Sequence, residues 1–299
     1  MSELWKRTLF GALFVACVVC SILLHPMAFV ALFAIFACWA VDEFHRLVGS
    51  NGPLRGSAIV CTLILWLMAC MPFFDLFGEP VWLMGDLPFI ILSIAYALIL
   101  FGALIDELWH QAPNPVANWG NLLSSQVMIA LPFCSMALIL LLDKYLLLAL
   151  FVLIWVNDTG AYCVGSMTAK RENGNHKMFP RVSPKKSWEG LFGGFAFAIG
   201  AAYILNHFGW FDVLMMRDGE IVTNMTQNII VILFALVACG FGTLGDLMES
   251  LLKRTIGVKD SGRFLPGHGG VLDRFDSLLL AAPMIAIFSW ICYGLLLLF

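Results

Sequence analysis

Asp246, Glu249, Ser250, Lys253 and Arg254 stand at i, i+3, i+4, i+7 and i+8, so a helix would carry them on one face, with Leu247, Met248, Leu251 and Leu252 on the other. A run then follows from Lys259 and Asp260 through Ser261, Gly262, Arg263, Pro266, Gly267, His268, Gly269 and Gly270 to Asp273, Arg274 and Asp276. Its glycines let backbone N–H groups come close to phosphate oxygens, and its carboxylates at i and i+3 suit a hard divalent cation such as Mg²⁺. Earlier in the chain, Asp158 and Tyr162 sit at i and i+4 beside Asn157, and Ser183-Pro184-Lys185-Lys186-Ser187-Trp188-Glu189-Gly190 reads as a turn and helix start, with Ser187 as N-cap. Lys185 and Lys186 form a compact cationic pair, although basic loops also serve topology alone. Carboxylates for a metal, cations for phosphates and a glycine-rich loop together point to phosphoryl or nucleotidyl transfer.

These residues must be held by apolar elements. Of 299 residues 61% are hydrophobic and 12% charged, and the mean hydropathy is +0.90. A soluble domain carries roughly 25% charged residues, so the composition predicts an all-α polytopic membrane protein and excludes disordered and disulfide-framework classes. Nine spans are expected, near Leu9–Leu24, Met27–Val41, Ser57–Phe74, Leu87–Ile105, Leu122–Leu142, Tyr145–Val156, Gly190–Asn206, Asn228–Gly245 and Ser277–Phe299. The first two share the break at His25-Pro26 and read as a helical hairpin. The chain divides into N-terminal spans, 1–142, and a region 143–299 carrying two long polar loops, 157–189 and 245–276.

Nine spans put the termini on opposite sides. On that count Lys6, Arg7, Arg46, Arg55, Lys170, Arg171, Lys177, Arg181, Lys185, Lys186, Lys253, Arg254, Lys259, Arg263 and Arg274 share the N-terminal side, 15 of the 17 cations, against Lys144 and Arg217. The asymmetry places the N-terminus and both polar loops in the cytoplasm and the C-terminus opposite. The chemistry would therefore act at the cytoplasmic face of a membrane, on a lipid.

Other motifs carry less. The nine cysteines lie in or at the end of apolar runs and read as small hydrophobes, Cys17-x-x-Cys20 included. Gly240-x-Gly242-x-x-Gly245 lies inside a span with no strand before it, so it reads as close helix packing and not as a dinucleotide site. No Walker sequence is present. His25, His45, His110, His176 and His207 show no pairing with Ser or Cys that suggests a nucleophile. The first span follows Lys6 and Arg7 as a signal peptide would, but no small-x-small site follows Leu24, so it reads as retained.

The run from Ser250, Lys253 and Arg254 through Lys259-Asp260 and Pro266-Gly267-His268-Gly269-Gly270 to Asp273-Arg274-Phe275-Asp276 resembles the signature of the phosphatidate cytidylyltransferase family. Asp158-x-x-Ala161-Tyr162, Ser183-Pro184-Lys185-Lys186-x-x-Glu189-Gly190 and Gly245-Asp246-Leu247-x-Glu249-Ser250 resemble further blocks of it, and the match covers the C-terminal half. The resemblance implies Mg²⁺-dependent transfer of CMP from CTP to phosphatidic acid, giving CDP-diacylglycerol and pyrophosphate, in a bacterial cytoplasmic membrane. It implies a homodimer and no nucleic-acid partner. Asp246 and Asp273 are then expected to hold the metal, or a metal pair, with Asp158, Glu249 and Asp276 as auxiliary ligands. Lys253, Arg254 and Arg274 would act in catalysis, and Ser183, Lys185, Lys186, Ser250, Lys259, Asp260, Gly267, His268, Gly269 and Gly270 would bind substrate. Between Gly165 and Ser183 the chain is longer and less glycine-rich than the family leads one to expect, which leaves Lys170, Arg171 and Lys177 without a role. Two other readings stay open on the residues: a CTP-dependent polyprenol or phytol kinase, and a cation-coupled transporter with broken helices.

Overall fold

The computed structural model describes residues 3–74, 86–110, 113–170, 174–217, 220–221, 224–262, 264 and 269–298. The chain forms two compact units, 1–141 with 258–275, and 142–257 with 276–299. The stretch 258–275, which the sequence division at 142/143 assigned to the second region, groups with the N-terminal helices.

The first unit contains α1 (Glu3–Leu24), α2 (Pro26–Leu47), α3 (Gly52–Phe74), α4 (Leu87–His110), α5 (Pro115–Ser125), a π turn (Gln126–Ala130) and α6 (Leu131–Leu142). The short helix α10 (Leu272–Phe275) joins them from the distant part of the chain. The α1–α2 hairpin turns where expected: His25 is the N-cap, its Nδ1 accepting the Met27 N–H at 3.1 Å, and Pro26 opens α2, where no N–H is needed. Phe29, Phe33, Phe133 and Phe275 are fully buried and, with Phe36, meet ring to ring at 4.2–6.3 Å, so α10 is held by apolar packing. Several polar groups among these helices find partners inside the protein, which an apolar medium favours. The Trp66 indole donates to Val30 O at 3.0 Å, and Gln126 Nε2 donates to Ala58 O at 3.1 Å.

The second unit contains α7 (Lys144–Thr168), β1 (Lys177–Phe179), β2 (Ser183–Ser187), α8 (Trp188–His207), β3 (Met216–Arg217), β4 (Glu220–Ile221), α9 (Asn224–Ile256) and α11 (Leu278–Leu298). Asp143 caps α7 through the N–H groups of Tyr145 and Leu146, and Ser187 caps α8 through Gly190 N–H at 3.2 Å, as its position predicts. Helices α7 and α8 approach closely because α8 presents glycines. An added Cβ at Gly194 would lie 2.5 Å from Asn157 Oδ1, and one at Gly193 2.5 Å from Val164 Cβ. Gly194→Val therefore forces the pair apart, and overpacking of this kind costs about 1–3 kcal/mol. The expected result is a clear fall in the thermal midpoint of the purified protein in detergent; an unchanged midpoint would show that the seam yields freely.

Eight helices among the described residues are long and apolar enough to cross a membrane, and the chain is a multi-pass membrane protein. The first expected span, Leu9–Leu24, falls in the apolar stretch Thr8–Leu24 of α1, which is shorter than these. The expected polar loops prove shorter than 157–189 and 245–276, because both flanking helices continue past the apolar runs. Helix α7 carries Asn157 and Asp158 on to Thr168, and α9 carries Asp246 on to Ile256 before Gly257, at φ +82°, ends it. In between, 177–187 forms a two-stranded antiparallel hairpin that the sequence reading took for a loop and turn.

Candidate active site

In the second unit, the end of α7, strand β2 and the last turns of α9 supply most of the expected residues. Lys186 Nζ lies 2.7 Å from Asp246 Oδ2 and donates to Thr243 O at 3.3 Å. Their side chains are 25% and 29% exposed, so solvent screens this pair only in part. Ser250 Oγ donates to Asp246 Oδ1 at 3.2 Å, so the i, i+4 face read from sequence does form on α9. Next on that face the buried Glu249 carboxylate pairs with Lys253. Arg254 is exposed.

A cavity of about 260 Å³ opens here, with Asp158, Tyr162, Lys185, Lys186 and Asp246 among its lining residues. Strand β2 explains why two adjacent lysines behave differently. Side chains alternate along a strand, so Lys186 turns inward to Asp246 while Lys185 stays exposed at the rim. Ser183, at the other end of β2, pairs with Phe179. The hairpin is closed by Glu189, whose Oε1 meets His176 Nδ1 at 2.7 Å and accepts the His176 N–H at 3.0 Å.

Asp276 completes the set in this unit. Burial raises its carboxyl above the ordinary range and the Asp246 carboxylate adds to that; the Ser277 N–H, 2.6 Å from Oδ1, opposes it, Asp158 reinforces it and Lys253 opposes it. Asp158, Asp246 and Asp276 thus act on one another as like charges. Gly245 explains how α9 comes so near: an added Cβ would lie 2.6 Å from Asp276 O, while one at Gly240 or Gly242 would meet nothing closer than 3.6 Å. Of the three glycines read as a packing motif, Gly245 is the one at which contact demands glycine. Among the described residues no three His, Cys, Asp or Glu side chains form a ready-made metal cage. Mg²⁺ characteristically takes one or two carboxylates and completes its shell with water and substrate phosphates, so this all-oxygen donor set fits it.

In the first unit lie the other expected residues. Asp273 Oδ2 accepts hydrogen bonds from Ser261 N and Gly270 N, both at 2.8 Å, and lies 2.9 Å from Ser261 Oγ. Gly269 beside it has φ +80°. The N–H groups of Val271 and Leu272 go to Glu43 of α2, to Oε1 at 3.1 Å and Oε2 at 3.0 Å. Carboxylates of the protein itself thus receive the N–H groups of Gly270, Val271 and Leu272. Asp273 likewise shapes the loop that carries it, a duty its expected role as metal ligand did not include. Lys259 and Asp260 are exposed and Arg274 is half-buried. Lys170 and Lys177 are exposed too, while Arg171, Arg263, Pro266, Gly267 and His268 lie outside the described residues.

Sequence reasoning missed Glu43. Its signal was present: a carboxylate in the last turns of an apolar helix is costly at membrane depth and asks for a partner.

A sequence model described as the cytidylyltransferase family matches residues 5–292. The chain is 33% identical over 303 aligned positions to a phosphatidate cytidylyltransferase of Haemophilus influenzae, covering 95% of this chain and 97% of that one. It is also 41% identical over 145 positions to the enzyme so named in Staphylococcus epidermidis, and 41% identical over 144 to that of Staphylococcus aureus. The staphylococcal matches cover 48% of each chain. With agreement along nearly the whole length, the chain belongs to the cytidylyltransferase family.

Proposed function

We propose that this chain transfers the cytidylyl group of CTP to phosphatidate, forming CDP-diacylglycerol and releasing pyrophosphate. The observation that carries this reading is the near-complete alignment with a relative of that name, together with a cavity that joins Lys186 to Asp158 and Asp246 at the ends of apolar helices. In the reaction a phosphate oxygen of phosphatidate bonds to the α-phosphorus of CTP, and the bond from that phosphorus to the α–β bridging oxygen breaks, the electron pair leaving with pyrophosphate. The nucleophile is already an anion near neutral pH, so no residue need remove a proton. The obstacle is repulsion between two anionic substrates.

Lys186 is the group best placed to offset it: Asp246 and Thr243 O fix its direction, and it lines the cavity. Lys185 adds positive potential at the rim. Asp246 would hold Mg²⁺, with Asp158 and Asp276 as further oxygen donors; when bound, the ion supplies charge neutralisation on the triphosphate and the leaving group. Asp273 and Arg274 are assigned a share in the same chemistry by the signature run in which they stand. The one-sided distribution of Lys and Arg supports a cytoplasmic active site, and the family resemblance supports a homodimer.

Purified protein with phosphatidate, Mg²⁺ and CTP labelled at either the α- or the γ-phosphate tests the reading. Lipid is expected to take up the α-label, with one pyrophosphate released per lipid product. A chelator should lower the rate at least ~100-fold and added Mg²⁺ restore it. Lipid carrying only the γ-label would replace this reading with a kinase.

A further inference from the structure

Glu43 lies in the second helix, far in sequence from every residue singled out by motif, yet it is 6% exposed and both carboxylate oxygens are engaged. Oε1 accepts from Val271 N–H, while Oε2 accepts from Leu272 N–H and lies 3.2 Å from Ser261 Oγ. Ser261 in turn donates its N–H to Asp273 Oδ2, and its hydroxyl lies 2.9 Å from the same oxygen. The loop presses on Glu43 from two sides: a Cβ added at Gly262 would fall 2.5 Å from Oε1, and one at Gly270 2.3 Å from Oε2. Val271 and Leu272 immediately precede Asp273 and Arg274.

We propose that Glu43 is a positioning residue for the reaction, an anionic anchor on α2 that fixes the backbone just before Asp273 and Arg274 and so sets where those two side chains stand. The proposal rests on the cytidylyl-transfer reading for its kinetic consequence, and on geometry alone for the anchor. A carboxylate is required because two consecutive N–H donors converge on it from the loop. Gln offers one acceptor oxygen and would turn an NH₂ group toward the second N–H, so the loop must move. Burial sharpens the effect, since a mispaired N–H in this environment has no water to turn to.

Two readouts test it. The first is amide exchange of the full chain in detergent: in Glu43→Gln, protection at Val271 and Leu272 is expected to fall at least ~10-fold while that of α7 and α8 holds, and unchanged protection would overturn the anchor whether or not the parent turns over substrate. The second is kinetic: with the parent shown to transfer cytidylyl, Glu43→Gln should lower kcat at least ~30-fold with both KM values within ~3-fold. A kcat within ~3-fold of the parent overturns the proposal, and a parent without cytidylyl transfer overturns the functional reading instead. Should Glu43→Gln not accumulate, Gly270→Ala addresses the same contact, because its methyl group strikes the Glu43 carboxylate. Adding Glu43→Asp withdraws the carboxylate by one methylene. The double variant is expected to exceed Gly270→Ala alone at least ~5-fold in both protection of the loop and activity, a rescue that general destabilisation cannot produce; two independent losses would count against the anchor.

Discussion

Asp246→Asn is expected to lower turnover by about 10³-fold, the scale set by loss of a directed charge from a reacting centre. The side chain keeps its shape, so its oxygen can still accept from Ser250, but the negative charge that pairs with Lys186 and would hold Mg²⁺ is gone. The thermal midpoint should stay within a few degrees, because Asp246 is half-buried at a cavity and not part of the α7–α8 seam. Pyrophosphate release, measured against Mg²⁺ concentration, checks the assignment. Activity within ~5-fold of the parent would remove Asp246 from the centre of the site.

Lys186→Met and Lys185→Met, compared side by side, are expected to differ by more than tenfold. Loss of one partner from a hydrogen-bonded charge pair costs about 2–5 kcal/mol when it is buried. Lys186 is 25% exposed, which argues for the lower part of that range and so for about 100-fold in kcat/KM. Lys185 is exposed, so its charge is screened and a loss within ~5-fold is expected. Steady-state kinetics in CTP decides the comparison. Equal losses would mean that the strand does not sort the two lysines, and that they serve as the single compact pair suggested by sequence.

That contrast also marks how far the sequence could be read. The helices were legible because an apolar run near 20 residues has few alternatives in a membrane, and because His25-Pro26 and Ser187 are local signals that tertiary packing did not override. The polar face of α9 was legible for the same reason: a helical period places Asp246 and Ser250 together wherever the helix packs. The hairpin 177–187 was not, since Pro180 and Pro184 interrupt it and its strands lack apolar alternation. Its closure depends on His176 meeting Glu189, a contact across 13 residues that no local propensity encodes. Likewise, the glycines around Asp273 suggested N–H groups turned toward phosphate. In the fold the Gly270 N–H turns to Asp273, and the next two, of Val271 and Leu272, go to a carboxylate more than two hundred residues away that only the fold brings there.

That separation has a consequence for how the chain is made. Val271 is synthesised 228 residues after Glu43. At about 5–20 residues per second, the carboxylate waits on the order of 10–45 s for its amide partners. Throughout that interval α3 to α9 are being translated and inserted, and the second helix carries an acid whose native donors do not yet exist. A ribosome stalled before residue 258 would hold a nascent chain with nine of its helices, α1 to α9, and the signature loop missing. The first unit to begin is thus among the last to be finished, and completion of the N-terminal helices is tied to arrival of the segment that carries Asp273.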